Sequence, residues 1–165
     1  LTHHGHLTEL RMNTRIIGCG NIIAGDDGVA LLVIEELKKL SLPSVELVEG
    51  RILGLDLLDY FMDTDKVIVI DAVATGNRKG VLYRLEGKDI EAMSRDNIIS
   101  LHQLGIAEVL KIGTMLYADR ISRNIILIGI EIGYVENNFS MEVSSSLKET
   151  VPLAVEKILE EIDYA

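Results

Sequence analysis

Lys66-Val67-Ile68-Val69-Ile70-Asp71 reads as the clearest buried strand of the chain, and its reading decides the fold. Four β-branched residues follow one another with no polar alternation, so both faces of the strand must be covered. Working outward, Arg15-Ile16-Ile17-Gly18-Cys19 and Asn124 to Ile130 have the same character. Val45 to Val48 alternates, and Val81 to Leu85 follows a Gly76-Asn77 turn, which adds two more strands. Helical patterns separate them. From Gly28 to Leu40, Leu31, Ile34 and Leu37 fall on one face and Glu35, Glu36, Lys38 and Lys39 on the other, and Pro43 prevents continuation. Leu53 to Phe61 and Leu101 to Leu116 read as helices, the latter packing through Leu104, Ala107, Val109, Leu110 and Leu116. Val151, Val155, Ile158 and Ile162 mark a closing helix in which Pro152 requires the first turn or a kink. Residues 87–99 and 132–142 read as polar surface loops. Continuous apolar strands alternating with helices predict an α/β fold. It is a single three-layer domain, a twisted and mostly parallel sheet of about five strands with helices on both faces. In such sheets chemistry gathers at the carboxyl ends of the strands.

The chain has 165 residues, enough for one domain, and 48% of them are hydrophobic. Residues 1–12 read as a flexible extension, and 13–165 as the folded domain. His3, His4 and His6 in the extension are read as a tag-like tail rather than a metal cluster, and Met12 as a natural start. A formal net charge of −10 argues against nucleic acid and anionic membranes as partners, because each phosphate contact needs a Lys or Arg. Cys19 is the only cysteine, which excludes an intrachain disulfide and a thiolate metal cage. No apolar run is long enough to span a bilayer, and the polar start is unlike a signal peptide. These features predict a cytoplasmic protein.

Four places carry candidate chemistry. The turn after the first strand, Gly18-Cys19-Gly20-Asn21-Ile22-Ile23-Ala24-Gly25-Asp26-Asp27-Gly28, opens like a dinucleotide fingerprint, but Ile23 stands where the third glycine belongs and no P-loop lysine follows. Its distinguishing feature is Asp26-Asp27 just before a helix. Asp26 reads as a helix cap and Asp27 as a functional carboxylate, since two adjacent acids repel unless donors or a cation are shared. Asp71, at the end of its strand, is either a loop cap or a second functional acid. His102, at a helix start that Ser100 can cap, is the only histidine inside the folded region and is either a surface residue or a nitrogen ligand or proton shuttle. Cys19 has no cationic neighbour in sequence and reads as a buried free thiol rather than a nucleophile. Ser144, Ser145 and Ser146 lack a nucleophile-elbow context and read as caps. Asp27, Asp71 and His102 together form an oxygen, oxygen, nitrogen set suited to a divalent transition metal with open positions.

With these residues in place, the chain resembles the NiFe-hydrogenase maturation endopeptidases. The resemblance runs from about residue 14 to 162. It rests on the segment Gly18 to Ala30, on the Val-Ile-Val-Ile-Asp71-Ala72 strand end and on Ser100-Leu101-His102-Gln103-Leu104-Gly105, in the family's order and spacing. It implies a protease that removes the C-terminal extension of the hydrogenase large-subunit precursor after nickel insertion. The metal-contacting and catalytic residues would be Asp27, Asp71 and His102. The nickel would be supplied by the precursor, with another divalent metal able to stand in. Two loops depart from the family pattern. Glu49-Gly50-Arg51 stands where many members carry a glycine-rich turn, and Glu131-Ile132-Gly133 where many carry a proline. The competing readings are a non-enzymatic nucleotide- or metal-binding α/β module and a related peptidase with another protein substrate, such as a spore-type protease. The missing third glycine opposes the former, and the His-Gln-Leu segment opposes the latter.

Overall fold

The computed structural model describes residues 13–20, 22–50, 55–93, 99–100, 103–133 and 142–163. The central run extends further than its apolar core suggested, forming β3 from Lys66 to Ala74. On one side it pairs in parallel with β1 (Thr14–Cys19), from Thr14↔Lys66 to Gly18↔Ile70, and β1 pairs in parallel with β2 (Val45–Gly50). On the other side β3 pairs in parallel with β6 (Asn124–Glu131), from Lys66↔Asn124 to Val73↔Glu131. β4 (Leu82–Glu86) closes that edge antiparallel to β6, giving the order β2-β1-β3-β6-β4. A two-residue strand, β5 (Ile99–Ser100), pairs antiparallel with the end of β3.

Helices cover both faces, so the expected three-layer architecture is present. Ile16, Ile68, Ile70, Ile126, Ile128 and Ile130 point to one face, against α1 (Val29–Lys38) and α5 (Ser145–Asp163). Ile17, Val67, Val69, Ile125 and Leu127 point to the other, against α2 (Asp56–Tyr60), α3 (Gly87–Met93) and α4 (Gln103–Leu116). Each fully buried aliphatic side chain contributes about 1.5–3 kcal/mol of transfer free energy, and this core supplies it from Ile, Leu and Val without tryptophan.

Several expectations need correction. The stretch 87–99 is not simply a polar loop, because Gly87–Met93 is helical and buries Ile90 completely, and Ile99 is in β5. One apolar anchor in a mixed sequence leaves almost no periodic signal. Leu116 does not pack in the core but is 68% exposed at the end of α4. Of the two placements open to Pro152 the first turn is excluded, since α5 begins seven residues earlier. The tail 1–12 and most of the loop 132–142 lie outside the described residues.

Candidate active site

The site is built where β1 stops and β3 does not. After Cys19 the chain leaves the sheet through Gly20 and enters a 3-10 segment, Ile22–Gly28, that runs directly into α1. Gly18 lets α1 lie close on β1, because a Cβ there would meet Ile34 Cγ1 at 2.4 Å. The close helix-on-strand packing that a dinucleotide fingerprint obtains from its third glycine is thus obtained here from the first.

Asp71 does not end its strand, as the sequence suggested, but lies three residues before the end of β3. It follows Ile70, the last partner of β1, and precedes Val73, the first partner of β5. It therefore occupies the gap between the two strands that share this edge of β3. Alternation puts it on the face of Val67 and Val69, the face covered by α4, and it is fully buried.

Asp27, on the 3-10 segment, is only 5% exposed. Cys19, the last residue of β1, lies within electrostatic reach of both acids. Burial pushes its pKa up first, and the negative charges of Asp71 and Asp27 push it further. Two carboxylates from distant parts of the chain thus act on one point at the carboxyl rim of β1. Cys19 is free, buried and held protonated, which fits the reading of a structural thiol rather than a nucleophile.

Asp26 behaves differently from its neighbour and from its expected role. The N-cap position of α1 is Gly28, which has no side chain to cap with, and the oxygens of Asp26 bond elsewhere. Its Oδ1 accepts the backbone N–H of Ser144 at 2.8 Å and its Oδ2 accepts from Lys79 Nζ at 2.8 Å. Partial burial alone would raise its pKa, but the Lys79 ammonium and the Ser144 donors outweigh that and hold it below the usual carboxylate range. Ser144 does serve the closing helix, its carbonyl accepting the N–H groups of Leu147 and Lys148.

A further buried acid, which the sequence pattern does not single out, lies near the rim. Glu131 ends β6 fully buried, on the same face as Asp71, which is paired with Gly129. Its carboxylate accepts the N–H and hydroxyl of Thr75, the N–H of Gly133 at 3.0 Å and the hydroxyl of Tyr83 at 3.0 Å. Burial would raise its pKa, but these donors more than offset that and lower it. Its one local signal is that a carboxylate closes the apolar run Ile125–Ile130, just as Asp71 follows Val67–Ile70.

His102 lies outside the described residues, as do Asn21, Arg51 and Leu101. The described residues bordering it are Ser100, paired with Val73, and Gln103, which opens α4. Among the described residues no three His, Cys, Asp or Glu side chains are grouped as a metal site. The described helices include none long and apolar enough to cross a membrane. Chemically, the rim presents inward carboxylates and accumulates negative potential, which suits a cation and opposes a nucleotide phosphate.

Comparison with known proteins agrees with this architecture. The family model for hydrogenase maturation proteases matches residues 31–161. The hydrogenase 2 maturation protease of Escherichia coli is 29% identical over 154 residues, covering 92% of this chain and 88% of that protein. The hydrogenase expression/formation protein HupD of Thiocapsa roseopersicina is 29% identical over 147 residues, 88% of this chain but only 65% of HupD, so the chain spans less than two thirds of that relative. The solved hydrogenase maturating endopeptidase HybD of E. coli shares the fold with a TM-score of 0.78 at 24% identity, over 92% of this chain and 93% of HybD. With the family model covering most of the chain, the protein belongs to the hydrogenase maturation protease family.

Proposed function

We propose that this protein is the endopeptidase that removes the C-terminal extension from a NiFe-hydrogenase large-subunit precursor once nickel has been inserted. Family membership supports the reaction class. The observation that carries the site is that two buried acids border the carboxyl end of β1: Asp71 follows Ile70, the last partner of β1, and the backbone of Asp27 packs on Gly20.

The nickel belongs to the substrate. In the precursor it is held by soft thiolates and retains room for harder ligands, and Asp27, Asp71 and His102 supply oxygen and nitrogen donors. The negative potential that raises the Cys19 thiol is what a cation entering this rim would relieve. Nickel then acts as a recognition element, and the enzyme separates loaded from empty precursor by a difference in binding free energy. Another divalent metal of similar preference can take its place. For bond cleavage Asp27, released from coordination, takes the proton of the attacking water as general base and passes it to the departing amine as the C–N bond breaks. The reaction is placed in the cytoplasm, where a lone thiol stays reduced.

The test is intact mass of purified precursor, with and without nickel, after incubation with the protein. Loss of the C-terminal extension only from the loaded form is the expected result. Equal cleavage of both forms overturns recognition by nickel. Full activity in Asp27→Ala or His102→Ala removes that residue from the site.

A further inference from the structure

We propose that Asp26 is a positioning residue, whose clamp on Lys79 and Ser144 holds the 3-10 segment that presents Asp27 to the rim. The inference rests on the assignment of Asp27 to the active site. Two adjacent aspartates have opposite fates here. Asp27 turns inward and is 5% exposed, while Asp26 turns outward and spends both oxygens on partners from remote segments. Lys79 comes from the loop between β3 and β4, and Ser144 precedes α5. Lys79 Nζ also reaches Ser144 Oγ at 3.5 Å, so the three residues close a triangle across three crossings of the chain.

The segment needs such support. It is seven residues long, whereas 3-10 runs beyond three or four residues are uncommon because their hydrogen bonds are poorly aligned. No side-chain cap secures its junction with α1. On its inner side it leans on Gly20, where a Cβ would meet the Asp27 carbonyl oxygen at 2.6 Å. On its outer side the bonds of Asp26 prevent the turn from lifting away. The loop that brings Lys79 is itself seated, since the Gly80 N–H donates to the Glu131 carbonyl and a Cβ at Gly80 would strike Thr150 Oγ1 at 2.7 Å. A misplacement of about 1 Å at a reacting group is enough to cost a hundredfold in rate.

The experiment compares Asp26→Ala, Asp26→Asn, Lys79→Met, Asp27→Ala and Arg84→Met on nickel-loaded precursor, with kcat, KM, Tm and amide exchange measured for each. Arg84 pairs with Glu161 between β4 and α5, away from the rim, and controls for loss of an ion pair. Asp26→Ala is expected to lower kcat about a hundredfold with KM within threefold, and to speed exchange at Asp27 and Gly28. Asp26→Asn and Lys79→Met each break the ion pair but leave the bond to the Ser144 N–H, and each should lower kcat about tenfold with KM within threefold. Arg84→Met should lower Tm without changing kcat. The proposal is overturned if Asp26→Ala and Lys79→Met keep the parent kcat, as Arg84→Met should, or if their loss of rate equals the fraction of protein unfolded at the assay temperature. An inactive Asp27→Ala beside an unaffected Asp26→Ala sinks this inference alone, whereas an active Asp27→Ala sinks the assignment of the site. Should Asp26→Ala not fold, Asp26→Asn and Lys79→Met decide by the same criteria.

Discussion

Gly20 lies against the backbone of Asp27, with room for hydrogen but not for a methyl group: a Cβ at position 20 would sit 2.6 Å from the Asp27 carbonyl oxygen. Backbone cannot swing aside as a flexible side chain can. Gly20→Ala should therefore push the 3-10 segment outward, cost about 1–3 kcal/mol, and depress cleavage. Gly87, with nothing within 4 Å of its would-be Cβ, is the matched comparison, and Gly87→Ala should leave both properties near the parent values. Chemical denaturation together with the precursor-processing assay checks the pair.

Asp71 is completely buried on β3, in the gap between β1 and β5. Asp71→Asn preserves shape and removes charge. Cleavage should fall about 10²- to 10⁴-fold, the range typical of a lost acid–base or ligand group, while near-ultraviolet dichroism stays native. Activity within threefold of the parent would show that the charge at this position is not used.

The lowered pKa of Glu131 predicts an acid-sensitive fold. The ordinary value for its carboxyl is 4.5, and donors from Thr75, Gly133 and Tyr83 hold it below that in the native state. The unfolded chain therefore binds its proton first as pH falls. Its stabilising contribution is complete above that ordinary value and is lost as pH drops through the native one. Glu131→Gln should cost about 1–3 kcal/mol at pH 7. The difference in Tm from the parent should shrink between pH 5 and pH 3. A constant difference across that range would contradict the assignment.

Cys19 should be chemically silent. Burial first, and then Asp71 and Asp27, raise its thiol, so thiolate is scarce at neutral pH. Iodoacetamide at pH 7.5 should label the protein only after unfolding, once per chain. Cleavage should survive both that treatment and Cys19→Ala. Rapid labelling of the native protein would reverse the assignment of Cys19 as a structural thiol.

Much of the fold was legible because periodicity is local. The runs at 15–19, 66–71 and 124–130 carry no polar alternation, and each became a strand buried on both sides. Val151, Val155, Ile158 and Ile162 kept their helical spacing and line the α5 side of the core. Other elements had no such signal. β5 has two residues and cannot show a period, and α3 is held by Ile90 alone among its described core residues. The role of Asp26 is not legible in the sequence for a related reason. Its position before a helix implied a cap, yet its partners lie 53 and 118 residues away.

The order of residues alone determined which segments are strands or helices and which faces are apolar, since these depend on neighbours one to four positions apart. It also marked Asp27 as an acid just before a helix and Asp71 as an acid closing an apolar run. Only the tertiary structure decided that β1 stops beside Ile70 while β3 continues, that Asp27 turns inward and Asp26 outward, and that Glu131 shares the face of Asp71. Those outcomes depend on strand order and register, which are set by burial and hydrogen bonding between segments far apart in the chain, where no short-range pattern records the partner.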